Sequence, residues 1–402
     1  MLKLARLAVG AAALATLLAP ATAHARQGAI SVGDIQAEYD FGRQMTFSLS
    51  AESPAGITQA TLFVETGADD RTSVREAEFS PGPRIAVTVI RDLEREPIRP
   101  FSRITFWWRI EDGSGAQLTT ERTSLVYEDN RFEWQTAARG SVTAHWYEGD
   151  LAFGQSAADA GALALPRISP QLGNPPLDRV DVYIYASVAD LQAGLELNGR
   201  TWVAGHADPD LGVVLIAVPP GPEAVLGFER DLPHELSHVL IYHITAPHYR
   251  GVPFWLNEGL AVLYETQPNP VYRVALEQAY QADELLPLNS LCGGFPLDAG
   301  EATLAYAQSG SVVGYVRDRW GSAKIVELLS AYGDGATCEG GLQRALQISL
   351  AGLENDWRRD ALQASPLRTL AVDFGPWLLL LLLPGLALFG LWFVPRRGPA
   401  AP

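Results

Sequence analysis

Two histidines and a glutamate close together in the chain have the spacing of a metal-binding helix. The chain reads HELSH over residues 234–238, inside a mostly apolar stretch. Side chains four positions apart lie on one helix face, so His234 and His238 can place two nitrogens on one zinc ion, and Glu235 can act as general base for a water there. Pro233 is expected near the start of this helix, where a missing N–H is harmless. The alternative is an incidental glutamate between two histidines of a core or surface helix.

A second segment supplies the third ligand that such a site needs. The run WLNEGLA over residues 255–261 predicts another helix, with Glu258 at its centre. A glutamate from a helix packed beside the first completes a His₂Glu set and leaves the fourth position for water, as in catalytic zinc sites. We therefore expect His234, His238 and Glu258 to bind Zn²⁺. A structural zinc site is disfavoured, because such sites usually have four protein ligands.

Together the two motifs resemble those of the gluzincin zinc metallopeptidases, which include thermolysin and the zinc aminopeptidases. The chain is most similar to the bacterial peptidase MA-like family, also in the runs 306–309, 315–321 and 353–357. Similar members carry a preceding β-domain and a C-terminal membrane helix. The resemblance implies a zincin fold, a zinc ion and peptide-bond hydrolysis. It also implies that His234, His238 and Glu258 are the ligands and Glu235 the base.

The sequence departs from this pattern in two ways. Thermolysin-like enzymes carry an acid one helical turn after the ligand glutamate, where this chain has Val262. Zinc-binding histidines usually need such a partner, so its identity is left open. The Gly-x-Met-Glu-Asn run of aminopeptidases is absent from the sequence, so recognition of a free amine is not expected.

A tetrahedral oxyanion normally needs a stabiliser besides the metal, and relatives use a tyrosine or histidine beyond the ligand glutamate. The tyrosines in that part of the chain are Tyr264, Tyr272, Tyr280, Tyr306 and Tyr315. We expect Tyr306 to take this role, from a helix that lines the cleft. The alternative is that Tyr306 packs its helix against the zinc helices. The remaining histidines are expected to be structural or on the surface: His145, His206, His243 and His248.

The elements that position these residues follow from the hydrophobic periodicity. Residues 29–128 alternate between apolar and polar between short turns, which predicts an antiparallel Ig-like β-sandwich over 27–128. A polar connection is expected over 129–140, and an α+β zincin-like peptidase domain over 140–365. Its expected strands are 142–147, 180–185, 202–205 and 213–218, followed by helices from residue 224 onward. Strand 213–218 is either an edge strand that binds an extended peptide or a central strand.

Both ends of the chain predict export and anchoring. A basic start, an apolar run and an A-x-A site predict a signal peptide over 1–25, with an uncleaved anchor as the alternative. The charge-free apolar segment 374–394 predicts a transmembrane helix, and 395–402 a cytoplasmic tail because Arg396 and Arg397 follow at once. The expected protein is therefore multidomain: an all-β sandwich, a peptidase domain and one membrane helix. It would be a single-pass protein of the cell membrane with an extracytoplasmic body.

The two cysteines and the net charge complete the expectations. Cys292 and Cys338 form one disulfide if the body is exported, or else are two buried thiols. A net charge of −16 excludes binding to nucleic acid through its phosphates. We expect a zinc metallopeptidase that acts on peptides or proteins. The alternative is a catalytically idle zinc-binding scaffold whose β-sandwich binds a protein partner, which the presence of Glu235 disfavours.

Overall fold

The computed structural model describes residues 30–67, 69–173, 177, 179–195 and 205–362. The chain divides into two compact units between Glu128 and Asp129. The order of a β unit followed by a mixed unit rich in helices agrees with the sequence.

The first unit is an antiparallel β structure built on one long strand. Its described strands are β1 Ser31–Asp40, β2 Gln44–Thr66, β3 Asp69–Glu76, β4 Gly82–Asp92, β5 Arg103–Asp112, β6 Gln117–Thr119 and β7 Thr123–Val126. The first half of β2 pairs with β1 and β4, and its second half with β3 and β5. The change of partners falls where the register shifts, between Glu52 and Ile57, and Gly56 there has φ 78°, which glycine adopts readily.

The two halves of β2 enclose a shared core. Phe47 on the first half contacts Phe106 of β5, which pairs with the second half, at 5.1 Å between ring centroids. Alternate residues of β5 are buried, as the sequence predicts: Ile104, Phe106, Trp108 and Ile110. The alternation follows from the period of two along each strand, but all seven described strands of this unit belong to one antiparallel sheet rather than to the two sheets of the expected Ig-like sandwich.

The second unit begins with a mixed sheet. Its described strands are β8 Gln135–Arg139, β9 Val142–Trp146, β10 Val180–Tyr185, β11 Gly205–Asp208 and β12 Val213–Ala217. Their order is β11-β12-β10-β9-β8. β10 runs parallel to β9 and β12, whereas β8 and β11 run antiparallel to their neighbours at the two edges.

The sheet differs from the expectations in two places. Residues 135–139 form edge strand β8 rather than a connection. The side chains of this strand are mostly exposed, so its sequence shows no apolar alternation from which a strand could be predicted. The run 213–218 is not the edge strand: β12 lies between β10 and β11, and β11 is the edge among the strands that the structure describes. Four of the five residues of β12 are buried, which is typical of a central strand. Residues 202–204 of the strand expected before β11 lie outside the described part of the chain.

Helices fill the rest of the second unit, as expected. They are α1 Leu151–Ile168, α2 Val188–Leu195, α3 Ala224–Thr245, α4 Phe254–Tyr264, α5 Pro270–Ala282, α6 Ala299–Trp320, α7 Ser322–Gly333, α8 Cys338–Leu346 and α9 Leu350–Trp357, with a short turn Leu288–Leu291. One face of the sheet and the apolar sides of these helices, except α2, share one core. The predicted disulfide is confirmed: Cys292 is bonded to Cys338, the first residue of α8.

The expected membrane topology requires correction. None of the helices in the described part of the chain combines the length and the apolar character that crossing a membrane requires. The longest described helices, α3 and α6, each have 22 residues but carry several charged side chains. The fold class with one transmembrane helix and the single-pass localisation are therefore corrected. The segments 1–25, 374–394 and 395–402, on which the anchoring prediction rested, lie outside the described residues.

Candidate active site

Helix α3 carries the HELSH run with its apolar side in the core. Leu232, Leu236 and Leu240 are fully buried, one turn apart along the same face. The polar side chains of His234 and His238 emerge next to this face, one turn from each other, with ring centroids 5.3 Å apart. The helical spacing therefore brings the two imidazoles together as predicted.

Pro233 lies inside α3 rather than near its start. It has no N–H to donate to the carbonyl of Glu229, one turn earlier. That carbonyl instead accepts the backbone N–H of Thr266, at 3.0 Å. The chain just beyond α4, which includes Glu265, is thereby tied to α3 beside His234.

Helix α4 presents Glu258 to the histidines and packs closely on α6. A Cβ on Gly259 would lie 2.5 Å from the carbonyl oxygen of Ser309, and one on Gly310 would lie 2.6 Å from Val262. Glycine is needed at both positions because the helices approach so closely. Val262, one turn after Glu258, packs against α6 at this contact.

The three predicted metal ligands converge on one point. Oε2 of Glu258 lies 3.5 Å from Nε2 of His234 and 3.6 Å from Nε2 of His238. One ligand atom from each residue lies within 4.8 Å of the other two. Two imidazoles and one carboxylate are the donor set of a catalytic zinc site, so the residues fit Zn²⁺.

The outer nitrogens of both histidines have partners that orient the rings. Nδ1 of His234 donates to Oε1 of Glu265 at 3.1 Å, and Nδ1 of His238 donates to Oδ1 of Asn257 at 3.1 Å. Nδ2 of Asn257 in turn donates to the hydroxyl of Tyr249. These bonds leave each Nε2 facing the centre with a lone pair, as a metal ligand requires.

The partners of the histidines were not identified from the sequence. Glu265 stands seven residues after Glu258, which is two helical turns and the same helix face. It is the C-cap residue of α4 and is buried. The periodicity therefore contained a signal for Glu265 that a search one turn after the ligand misses. Asn257 lies directly before Glu258, within the motif itself.

Glu235 is buried beside the metal ligands and next to edge strand β11. A Cβ on Gly205 would lie 2.5 Å from Oε1 of Glu235, so the strand passes directly against this carboxylate. Burial raises the pKa of Glu235 to about 8, with the charge of His234 opposing and that of Glu258 adding to the shift. A cation at the centre would act in the opposite direction, because it favours the ionised carboxylate.

The charges of the three predicted ligands influence one another's pKa. When no metal is bound, burial disfavours the charged form of His234, but hydrogen bonds with Glu258 and Glu265 outweigh it and raise the pKa of His234 well above its usual value. Burial lowers the pKa of His238. Burial also opposes ionisation of Glu258, but the adjacent His238 and His234 hold the pKa of that carboxyl below its usual range. Mutual charges therefore hold a carboxylate where burial alone would neutralise it.

Tyr306 on α6 lies at the same centre. Its ring is 6.1 Å from that of His234, and burial, followed by the charges of Glu258 and Glu235, raises the pKa of Tyr306. Tyr306 therefore carries its proton at neutral pH. Tyr272 on α5 stacks on Tyr306 at 6.2 Å, whereas Tyr315 bonds to Asp360 elsewhere on the surface.

The other histidines separate into one neighbour of the centre and three remote residues. His206 on β11 contacts Asp208 and lies close enough for its charge to act on His238 and Glu258. His145 contacts Asp181 on the sheet, and His248 donates to the carbonyl of Gly333. His243 contacts the ring of Tyr242. The proximity of His206 was not expected, because sheet order decides it.

Comparison with known proteins identifies the second unit. The family model of the Peptidase MA superfamily matches residues 160–363, just over half of the chain. A search of curated proteins gives no significant match.

Similarity to solved structures is low. The M1 zinc metallopeptidase of Deinococcus radiodurans is 14% identical, with a TM-score of 0.38, over 83% of this chain and 94% of that one. OgpA of Akkermansia muciniphila, in complex with an O-glycopeptide substrate, is 12% identical, with a TM-score of 0.20, over 25% of this chain. This chain spans only 29% of the OgpA chain. Such values do not establish a common architecture.

The family match therefore carries the identification, and it agrees with the motifs over 234–238 and 255–261. The resemblance to gluzincin-type zinc metallopeptidases is confirmed, and the chain belongs to the Peptidase MA superfamily.

Proposed function

We propose that this protein hydrolyses peptide bonds of peptide or protein substrates, with Zn²⁺ held by His234, His238 and Glu258. The observation that supports it most is the convergence of these ligand atoms within 4.8 Å, with the outer nitrogen of each histidine hydrogen-bonded. Zinc, when bound, supplies Lewis acidity, which lowers the pKa of a water and polarises a carbonyl.

The proton movements are assigned to Glu235. Its carboxylate accepts a proton from the attacking water and passes it to the amine that leaves when the peptide bond breaks. The burial of this side chain excludes bulk water, so the proton is retained between the two steps. The close approach of Gly205 fixes the carboxylate on one side.

Tyr306 is assigned to the carbonyl oxygen of the substrate. A neutral hydroxyl can donate a hydrogen bond to the negative charge that develops there, and burial keeps Tyr306 neutral. Edge strand β11, which passes against Glu235, offers its backbone to an extended substrate as an added strand.

The test is peptide cleavage by the purified full chain, read by mass spectrometry on a diverse peptide mixture with and without chelator. Glu235→Gln keeps the size of the side chain but cannot accept the proton, so cleavage per bound zinc should fall at least about 10²-fold. Glu277→Gln, the same change on the exposed face of α5, is the matched control. Equal cleavage by wild type and Glu235→Gln would refute the role of the base. Zinc binding without cleavage of any peptide would favour the idle scaffold.

A further inference from the structure

Arg167, in the last turn of α1, donates two hydrogen bonds to the end of α4 and the chain just after it. Its Nη2 donates to the backbone carbonyl of Tyr264 at 2.6 Å and to the hydroxyl of Thr266 at 2.9 Å. These two residues are the immediate neighbours of Glu265 in the chain. Arg167 therefore holds both sides of the residue that accepts the Nδ1 proton of His234.

The end of α4 depends on bonds from other helices. The last carbonyl groups of a helix have no partner within it, and Tyr264 is the last residue of α4. Glu265 has already left the helical conformation, with φ −51° and ψ 131°. The carbonyl of Tyr264 is bonded by Arg167 of α1, and the N–H of Thr266 is bonded to the carbonyl of Glu229 on α3. Bonds from two other helices thus fix the backbone on either side of Glu265.

The helix that carries Arg167 is firmly packed. Leu165 and Ile168, close to it in the chain, are buried in the core that α1 shares with α3 and α4. An exposed arginine that bonds the last carbonyl of a helix is common and often serves stability alone. The acceptors of Arg167 differ from that simple case, because they lie on both sides of a residue that orients a candidate metal ligand.

We infer that Arg167 is a positioning residue for the metal centre, which keeps the carboxylate of Glu265 in place against His234. The inference rests on the zinc site of the proposed function. Oε1 of Glu265 lies 3.1 Å from Nδ1 of His234. A displacement of about 0.5 Å would take this distance beyond the range of about 2.7–3.2 Å for such a bond. The imidazole would then lose the acceptor that fixes its orientation and its tautomer for the metal.

Zinc affinity of the full chain, measured by competition with a chelator of known affinity, tests this role. Arg167→Met removes the donors but keeps a long apolar side chain, and should weaken zinc binding about tenfold, the lower end of the range for losing a hydrogen-bond partner of a metal ligand. Arg167→Lys keeps a charged donor and should recover part of the loss. Arg139→Met is the matched control, since this exposed arginine of β8 pairs with Asp159 of α1, and it should leave the affinity unchanged.

A double-mutant cycle with Glu265 separates positioning from general stability. Because Arg167 acts through Glu265, Arg167→Met should have no further effect on zinc affinity in a Glu265→Ala background. A loss of the same size in both backgrounds would overturn the inference. Unchanged affinity in Arg167→Met, or an equal loss in Arg139→Met, would overturn it as well.

These outcomes are distinct from those for the proposed reaction, because zinc affinity is measured without peptide cleavage. A wild type that binds zinc but cleaves no peptide would refute hydrolysis, whereas the cycle would still support or overturn the role of Arg167. A wild type that binds no zinc would overturn both.

Discussion

The two units treat a buried carboxyl group in opposite ways. In the first unit Asp112 is buried, and its oxygens accept hydrogen bonds from Ser114, from the N–H of Ala116 and from the hydroxyl of Ser53. These donors, with the Ser114 hydroxyl as the largest influence, lower the pKa of Asp112 to about 2. In the second unit burial raises the pKa of Glu235 to about 8.

The difference shows that the surroundings of a buried carboxyl group decide whether its pKa falls or rises. A buried carboxylate that is saturated with donors stabilises a turn and has no tendency to take up a proton. A buried carboxylate placed against other carboxylates and histidines is held at a cost to stability, and such perturbed groups cluster at functional sites. Asp112 is therefore arranged for folding, whereas Glu235 has the surroundings that the proposed cation binding and proton transfer require.

The largest effect should come from removing one metal ligand. His238→Ala deletes one of three protein ligands, so bound zinc should fall from about one per chain toward none. The measurement is metal content after gel filtration. His243→Ala is the control, since this residue lies on the same helix but is exposed. Equal zinc content in wild type and His238→Ala would contradict the role of His238 as a ligand, and with it the contrast between a metal-binding second unit and the first unit.

The next effect concerns the acid that orients His234. Glu265→Ala removes the acceptor of the Nδ1 proton, and loss of such a partner typically weakens metal binding 10–100-fold. Glu265→Gln keeps an acceptor oxygen and should lose less. Competition with a zinc chelator of known affinity measures both. Unchanged affinity in Glu265→Ala would show that His234 needs no partner.

The parts of the site that could be predicted are those that depend on local sequence alone. The helical periods of α3 and α4 and the residue types on them need no tertiary information, so the sequence could predict which three side chains converge: His234, His238 and Glu258. Glu265 lies on the face of Glu258 two turns further on, but that spacing alone does not show that the chain after α4 brings its carboxylate to Nδ1 of His234.

The elements at the edges of the sheet show the same limit. Sheet order decides that β11 and not β12 passes Glu235, although the apolar run of β12 already indicated a central strand. Strand β8 has no buried face that could produce a hydrophobic alternation, so its polar sequence resembles a connection.

A smaller effect should follow from restoring the hydrogen bond that Pro233 lacks. Pro233→Ala provides an N–H that competes with Thr266 for the carbonyl of Glu229, which loosens the segment that carries Glu265. Zinc affinity should fall by up to about tenfold, which is the lower end of the range for losing a hydrogen-bond partner of a metal ligand. Alanine is also the better helix former by about 3 kcal/mol, so the metal-free protein should not lose stability. A variant that keeps full affinity would show that the Thr266 bond does not depend on the proline.

The smallest expected effect is on the stability of the first unit at acidic pH. The pKa of Asp112 in the folded protein, about 2, lies below the value of about 3.9 in an unfolded chain. The unfolded state therefore takes up the proton first as the pH falls. The stability that the ionised carboxylate contributes is present above about pH 4 and is lost as the pH falls toward 2.

Asp112→Asn keeps the size of the side chain but has no charge to lose, so its own stability should change less over that window. The advantage of the wild type over Asp112→Asn should be constant above pH 5 and should shrink between pH 4 and pH 2. Urea unfolding of the first unit, followed by the fluorescence of its tryptophans, measures this advantage at each pH. Glu111→Asn, a change at the partly exposed neighbouring carboxylate, serves as the control because it removes a charge without touching these donors. An advantage that stays constant down to pH 2 would mean that the donors around Asp112 stabilise the amide as well as the carboxylate. The contrast with Glu235 would then rest on burial alone.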